Sequence, residues 1–306
     1  MSSTINGSQI LRRTVATVQN KKKPVAKSRP SGLLTWIAVG VVVAVLAAFV
    51  IIKVTTSTKA GSATAVSATI AHEIGDVPAS VFNAVGTTSP AVTVTPPTAA
   101  KGQPLLTAAS ASGAKLPQVV YYGAEFCPYC AAQRWATIVA LSRFGKFTGL
   151  QTMSSSPVDI AANTPTFTFV KATYSSKYIV FTSVESQDVN RNPLQTPTAL
   201  ESALIVKYDT AKYFPGLAGS SGNPIPFMSF ANQFLVSGAS YDPGVLSGQT
   251  REQIAAGLKS PSSPITQAII ASANYQTAAI CTLTGGKPGK VCSSKGVKAA
   301  AKKMGL

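Results

Sequence analysis

The chain has 306 residues, 27 of them Lys or Arg and 10 Asp or Glu, for a formal charge of +17. Seven basic residues precede residue 33 and six lysines fall in the last twenty positions, which leaves 14 basic and 10 acidic residues, a charge of only +4, in 53–286. A nucleic-acid-binding face is thereby excluded as the source of the charge, and no serine triad, phosphate loop or carboxylate pair stands out.

Residues 33–52 carry no charge. Twenty apolar residues at ~1.5 Å rise each match a hydrocarbon core of ~30 Å. Arg12, Arg13, Lys21, Lys22, Lys23, Lys27 and Arg29 precede them with no acidic residue, whereas only Lys53 and Lys59 follow closely. The asymmetry predicts one transmembrane helix at 33–52, a basic cytosolic tail at 1–32 and a remainder outside the plasma membrane. A cleaved signal peptide is the rival reading. The apolar run is long for one, and Lys53-Val54-Thr55-Thr56 offers no Ala-x-Ala site. Residues 53–70, rich in Thr, Ser and Ala, read as a tether, and 71–286 as the extracytoplasmic domain.

Within that domain Val77–Val85 has apolar spacing suited to a short helix, and 86–115, with Pro96-Pro97, Gly102, Pro104 and Gly113, reads as irregular. The first firm strand is Leu116–Gly123. Ala124-Glu125-Phe126 then leads into Cys127-Pro128-Tyr129-Cys130, and Trp135, Ile138, Val139, Leu141 and Phe144 follow at helical spacing. Cys127 is thus expected at a helix N-terminus, where free N–H groups and the macrodipole favour a thiolate. Gly145 reads as the end of that segment, Gly149–Met153 as a second strand, and Thr166–Val170 and Lys177–Val184 as β-rich runs split by Tyr174-Ser175-Ser176. Thr198–Lys207 fits a helix or a short strand. After a loop at 216–224, Ile225–Phe230 and Gln233–Gly238 flank Ala231-Asn232 as a hairpin. Thr250-Arg251-Glu252-Gln253 is a capping-box pattern, and Ser263-Pro264 starts a helix toward Cys281. The basic stretch 287–306 reads as a solvated tail, with contact to anionic lipid or wall polymer as the alternative.

Four cysteines outside the membrane can form disulfides. Cys127 pairs most naturally with Cys130. Cys281 and Cys292, separated by a turn-forming run, are expected to form a structural bridge. A four-cysteine zinc site is the weaker reading, because the second spacing is long and the sole histidine, His72, is remote in sequence. The residues call for neither metal nor cofactor.

The order strand, C-x-x-C, helix, strand, and later a Pro-led hairpin and a helix resembles a thioredoxin fold, and Cys-Pro-Tyr-Cys resembles the glutaredoxin motif. The fold class expected from this resemblance is α/β, thioredoxin-like with a β-rich insertion at about 155–220, preceded by one transmembrane helix. It implies that Pro226 is a cis-proline facing the active-site sulfurs, here preceded by Ile225. Related folds bury a carboxylate six residues before the first cysteine. This chain has Tyr121 there, which implies another base, a water or slower exchange; Glu125 is a candidate by sequence proximity alone and reads first as a solvated strand-end carboxylate. More specifically, Tyr122–Trp135, Ala140–Gly145, Thr166–Phe169, Tyr174–Tyr178 and Val184-Glu185 resemble the family called domain of unknown function 929 over about residues 71–285, which implies a fold but no activity.

These residues point to a membrane-anchored thiol–disulfide oxidoreductase. Cys127 attacks, Cys130 resolves, and the clients are protein thiols or disulfides, while the resemblance implies that Pro226 presents its neighbouring backbone. The alternative is a non-enzymatic surface or interaction domain on the same scaffold. Delivery of a soft cation such as Cu(I) by the two thiols ranks last, with no Met or His nearby in sequence. Arg134 reads either as a surface charge or as a partner to a nearby anion, and Trp135 as core.

Overall fold

A computed structural model of the chain describes residues 63–306, except for Thr88, Pro90 and Ser221. The expected cytosolic tail, the apolar span 33–52 and most of the tether lie outside the described residues. Among the described residues no helix is long and apolar enough to cross a membrane.

The chain runs β1 (Thr64–Ala65), α1 (Ala68–Gly75), α2 (Ala79–Val85), β2 (Thr98–Ala99), β3 (Thr107–Ala109), β4 (Lys115–Gly123) and α3 (Pro128–Leu141). Four strands follow, β5 (Gly145–Thr148), β6 (Gln151–Ser154), β7 (Pro165–Thr168) and β8 (Thr173–Ser176), then β9 (Val180–Glu185) and α4 (Ala199–Tyr208). The hairpin β10 (Phe227–Phe230) and β11 (Phe234–Ser237) leads to α5 (Arg251–Gly257), α6 (Pro264–Leu283), α7 (Gly289–Cys292) and α8 (Lys295–Lys303).

The architecture is mixed α/β with mixed sheets. β4 is the central strand, and from Gln118 to Tyr121 it is buried, a continuous run rather than an alternation, as suits a strand covered on both faces. β9 pairs with it in parallel, Gln118–Gly123 against Val180–Glu185. β10 pairs antiparallel with Val119–Tyr122 and so occupies the opposite edge. β11 and β2 extend the sheet beyond β10, and β3 pairs with the first residues of β4. α3 packs against α6 and β7. Trp135, Ile138, Leu141, Ile269, Ile270 and Ile280 from these two helices are buried in one core with Phe167 and Phe169.

Between α3 and β9 the chain inserts β5–β8. β1, β6 and β7 form one small sheet, and β5 and β8 another. The insertion therefore begins at Gly145, ahead of the expected start. Gly145 does more than end a helix: it opens β5, and a Cβ there would strike the Ser175 carbonyl across the β5–β8 pair. Tyr174-Ser175-Ser176, expected to split two β-rich runs, is for the same reason itself part of a strand. The open choice at 198–207 resolves to helix, because Thr198 and Glu201 form a reciprocal capping box. Thr250 and Gln253 do the same for α5.

The C-terminal stretch departs from the solvated-tail reading. α8 buries Gly296, Val297 and Ala300 against the domain while Lys295, Lys298, Lys302 and Lys303 stay exposed. A bridge between Cys281 and Cys292, with Cα atoms 5.5 Å apart, ties α6 to α7.

Candidate functional site

Cys127 is the N-cap of α3. Pro128 occupies the first helical turn, where its missing N–H costs nothing, and the Cys127 sulfur accepts the backbone N–H of Cys130 at 3.2 Å. The other side of the sulfur faces the Ile225 carbonyl at 3.7 Å, and the Ile225–Pro226 peptide is cis. Ala124, Phe126, Cys127 and Cys130 form a small apolar cluster with Ile225 packed on it. The structure thus brings Cys127 and Cys130 together with the carbonyl of Ile225, the residue before Pro226.

The two thiols are not equivalent. Cys127 is 4% exposed and Cys130 fully buried, while Tyr129 between them is 37% exposed. A hydrogen bond from the Cys130 thiol, then the Cys130 N–H, the Arg134 guanidinium and the Tyr129 N–H, hold the Cys127 thiol below its ordinary value against the opposing effect of burial. Burial, then the hydrogen bond and charge shared with Cys127, push Cys130 well above its own. Of the two, the first sulfur is therefore the one that gives up its proton more readily.

Beneath the pair lies a buried charge pair. Arg134, one helical turn after Cys130, is fully buried. It donates from Nε and Nη2 to the carboxylate of Glu185 at 2.8 and 2.6 Å, and from Nη2 to the Ala124 carbonyl at 2.7 Å. Glu185 ends β9 opposite Gly123 and is also fully buried. Arg134 is thus no surface charge. Its anion was missed because nothing local links positions 134 and 185; the available signal was a lone arginine inside an otherwise uncharged helix.

Tyr121 stands behind the site with its ring edge on Phe169 at 5.1 Å and the Arg134 guanidinium 5.9 Å from its centroid. Its hydroxyl is buried without a hydrogen-bond partner among the described residues, and burial raises its pKa well above the usual phenol value. Glu125 is 7% exposed. Burial raises its carboxyl above the usual range, with the Thr168 hydroxyl pulling the other way.

Two loops border the motif. Ser156 donates its N–H to the Phe126 carbonyl, and Arg191 lays its guanidinium 3.7 Å from the Phe126 ring centroid while pairing with Asp159 at 2.9 Å. Val158 and Ile160, on either side of Asp159, are exposed. Trp135 is core, as expected, with its N–H on the Pro165 carbonyl. Among the described residues no group of three or more His, Cys, Asp or Glu gathers as a metal site.

The sequence profile of a domain of unknown function, DUF929, matches residues 108–282. No curated protein and no solved structure matches the chain.

Proposed function

This chain belongs to the DUF929 family, and from the geometry of its cysteine pair we propose that it is a membrane-anchored, extracytoplasmic thiol–disulfide oxidoreductase with a thioredoxin-like fold. One observation carries the reading: two free thiols three residues apart, the outer one at a helix N-cap with its pKa held down and the inner one fully buried with its pKa pushed up. The strand order β9-β4-β10-β11, with the cysteines after β4 and the Ile225–Pro226 turn before β10, supports the thioredoxin-like reading. The uncharged run 33–52 and its basic flank support the anchor and the orientation.

In the reducing direction the Cys127 thiolate attacks one sulfur of a client disulfide. A Cys127–client disulfide forms, the client disulfide breaks, and the leaving client thiolate takes a proton. Cys130 then gives up its proton and attacks the Cys127 sulfur. The mixed disulfide breaks, the client leaves as a dithiol, and the two electrons it gained leave the enzyme with a Cys127–Cys130 disulfide. The oxidising direction is the reverse exchange. Val158 and Ile160, on a loop fastened to Phe126, present apolar side chains close to the motif, which suits unfolded or partly folded protein clients.

Affinity capture under non-reducing conditions tests the reading. Cys130→Ala is expected to retain clients as mixed disulfides that reductant releases, and Cys127→Ala to retain none. If neither variant traps a client, and the purified domain neither reduces nor oxidises a model dithiol, the non-enzymatic interaction domain takes its place.

A further inference from the structure

We propose that Arg134 is the positioning residue of the dithiol: its buried guanidinium stabilises the Cys127 thiolate, and Glu185 both fixes that guanidinium and limits how much of its charge the sulfurs feel. The inference rests on the redox reading of Cys127 and Cys130 and adds the residues that set the poise of the pair.

The geometry is specific. Arg134 follows Cys130 by four residues, so the two side chains share one face of α3. Its Nη2 binds the Ala124 carbonyl, which also accepts the Cys127 N–H at 3.3 Å, so the guanidinium is joined through one oxygen to the backbone of the reactive cysteine. The contact with Glu185 is bidentate, which locks the guanidinium plane. Both side chains are 0% exposed, so water does not screen their field, and Nη1 has no hydrogen-bond partner among the described residues. A buried pair of this kind is a poor device for stability alone, because apolar residues of similar volume often serve as well or better. Its place under the two sulfurs supplies the other reason to keep it. The charge of Arg134 also stands among the influences that lower Cys127 and oppose the rise of Cys130.

The field makes opposite demands on the two partners. Arg134→Met removes the cation and leaves the carboxylate, so the Cys127 thiolate becomes less favourable. Glu185→Gln keeps the hydrogen-bonding shape and unmasks the cation, so the thiolate becomes more favourable. A residue that served only the architecture would shift Cys127 the same way in both variants.

The test is the pH profile of Cys127 alkylation in reduced protein, read peptide by peptide. Its midpoint is expected to rise by about one pH unit in Arg134→Met and to fall in Glu185→Gln, the order of shift a nearby charge produces. Each single variant leaves a buried charge unpaired, so Arg134→Met/Glu185→Met is measured as well. It removes both charges and fills the space, and its midpoint is expected above that of the unaltered protein. A double variant that titrates like the unaltered protein, singles that shift in the same direction, or a double variant that does not fold overturns the inference. Alkylation needs no client, so a failed client capture with opposite shifts rejects the oxidoreductase and keeps the electrostatic assignment, and the converse result does the reverse.

Discussion

Removing one atom from Tyr121 is expected to stabilise the protein. In Tyr121→Phe the lost oxygen is one that is fully buried and has no hydrogen-bond partner among the described residues. An unsatisfied buried hydroxyl carries a desolvation penalty of about 1–3 kcal/mol. The space it vacates is that of a single oxygen, about 10 Å³, worth about 0.2 kcal/mol at the usual cavity cost. The edge contact with Phe169 and the face offered to Arg134 survive, because both belong to the ring. The net gain is about 1–2 kcal/mol, or about 2–4 °C in Tm per kcal/mol for a domain of this size. Urea denaturation of the reduced protein should show a higher midpoint with unchanged slope. Burial holds the phenol protonated far above neutral pH, so Tyr121 is no base, and the pH profile of disulfide exchange should be unaltered. A loss of stability above about 1 kcal/mol, the scale of one hydrogen bond, would show that the hydroxyl is satisfied in solution and that the reasoning fails.

Asp209 is 2% exposed and both its carboxylate oxygens lack a partner among the described residues, so burial pushes its pKa up to about 6, with the Ser237 hydroxyl pulling down without closing a hydrogen bond. The folded value lies above the unfolded one of 3.8, so its contribution is fully present in the protonated state below about pH 4 and is lost as pH rises through about 6. Asp209→Asn should gain on the unaltered protein in denaturant midpoint from pH 4 to 7; a constant difference would contradict the shift. Replacing Cys281 and Cys292 by Ser opens a loop of sequence separation 11 and is expected to cost about 3 kcal/mol by loop-closure entropy, measured by equilibrium unfolding with Cys127 and Cys130 left intact. A Ser57→Cys variant lacking the other cysteines should react with an impermeant thiol reagent in intact cells, and its protection would reverse the proposed orientation.

What was legible in the sequence was what local chemistry dictates. The helix after Cys127 follows from Pro128 and the apolar spacing behind it. The hairpin follows from two apolar runs about Ala231-Asn232, both of which take positive φ. The Cys281–Cys292 bridge follows from a turn-rich spacer. What was illegible depends on distant partners. Gly145 reads as a helix stop until β8 lies against it. Thr198–Lys207 is ambiguous by composition, and a capping hydrogen bond decides it. Arg134 has two meanings until Glu185, 51 residues on, arrives at the end of the parallel strand. The lysines of α8 advertise solvent and hide Val297 and Ala300 on the opposite side of the same helix.

That last helix also imposes an order of events. Gly296 donates its N–H to the Asn83 side chain, and a Cβ at Gly296 would strike the Phe82 carbonyl, so α8 seats directly on α2. A chain emerging N-terminus first holds Val81, Phe82 and Val85 without that cover until residue 300 is through, and it is a half-built molecule with reactive sulfur throughout that interval. The calendar of emergence resolves the hazard. Cys127 and Cys130 appear long before any other cysteine and meet only each other, and Cys281 then waits just eleven residues for Cys292. Within each pair the two sulfurs emerge close together, Cys127 with Cys130 and Cys281 with Cys292, so the linear arrangement of the cysteines favours these pairings over mixed ones before the tertiary structure exists to do so.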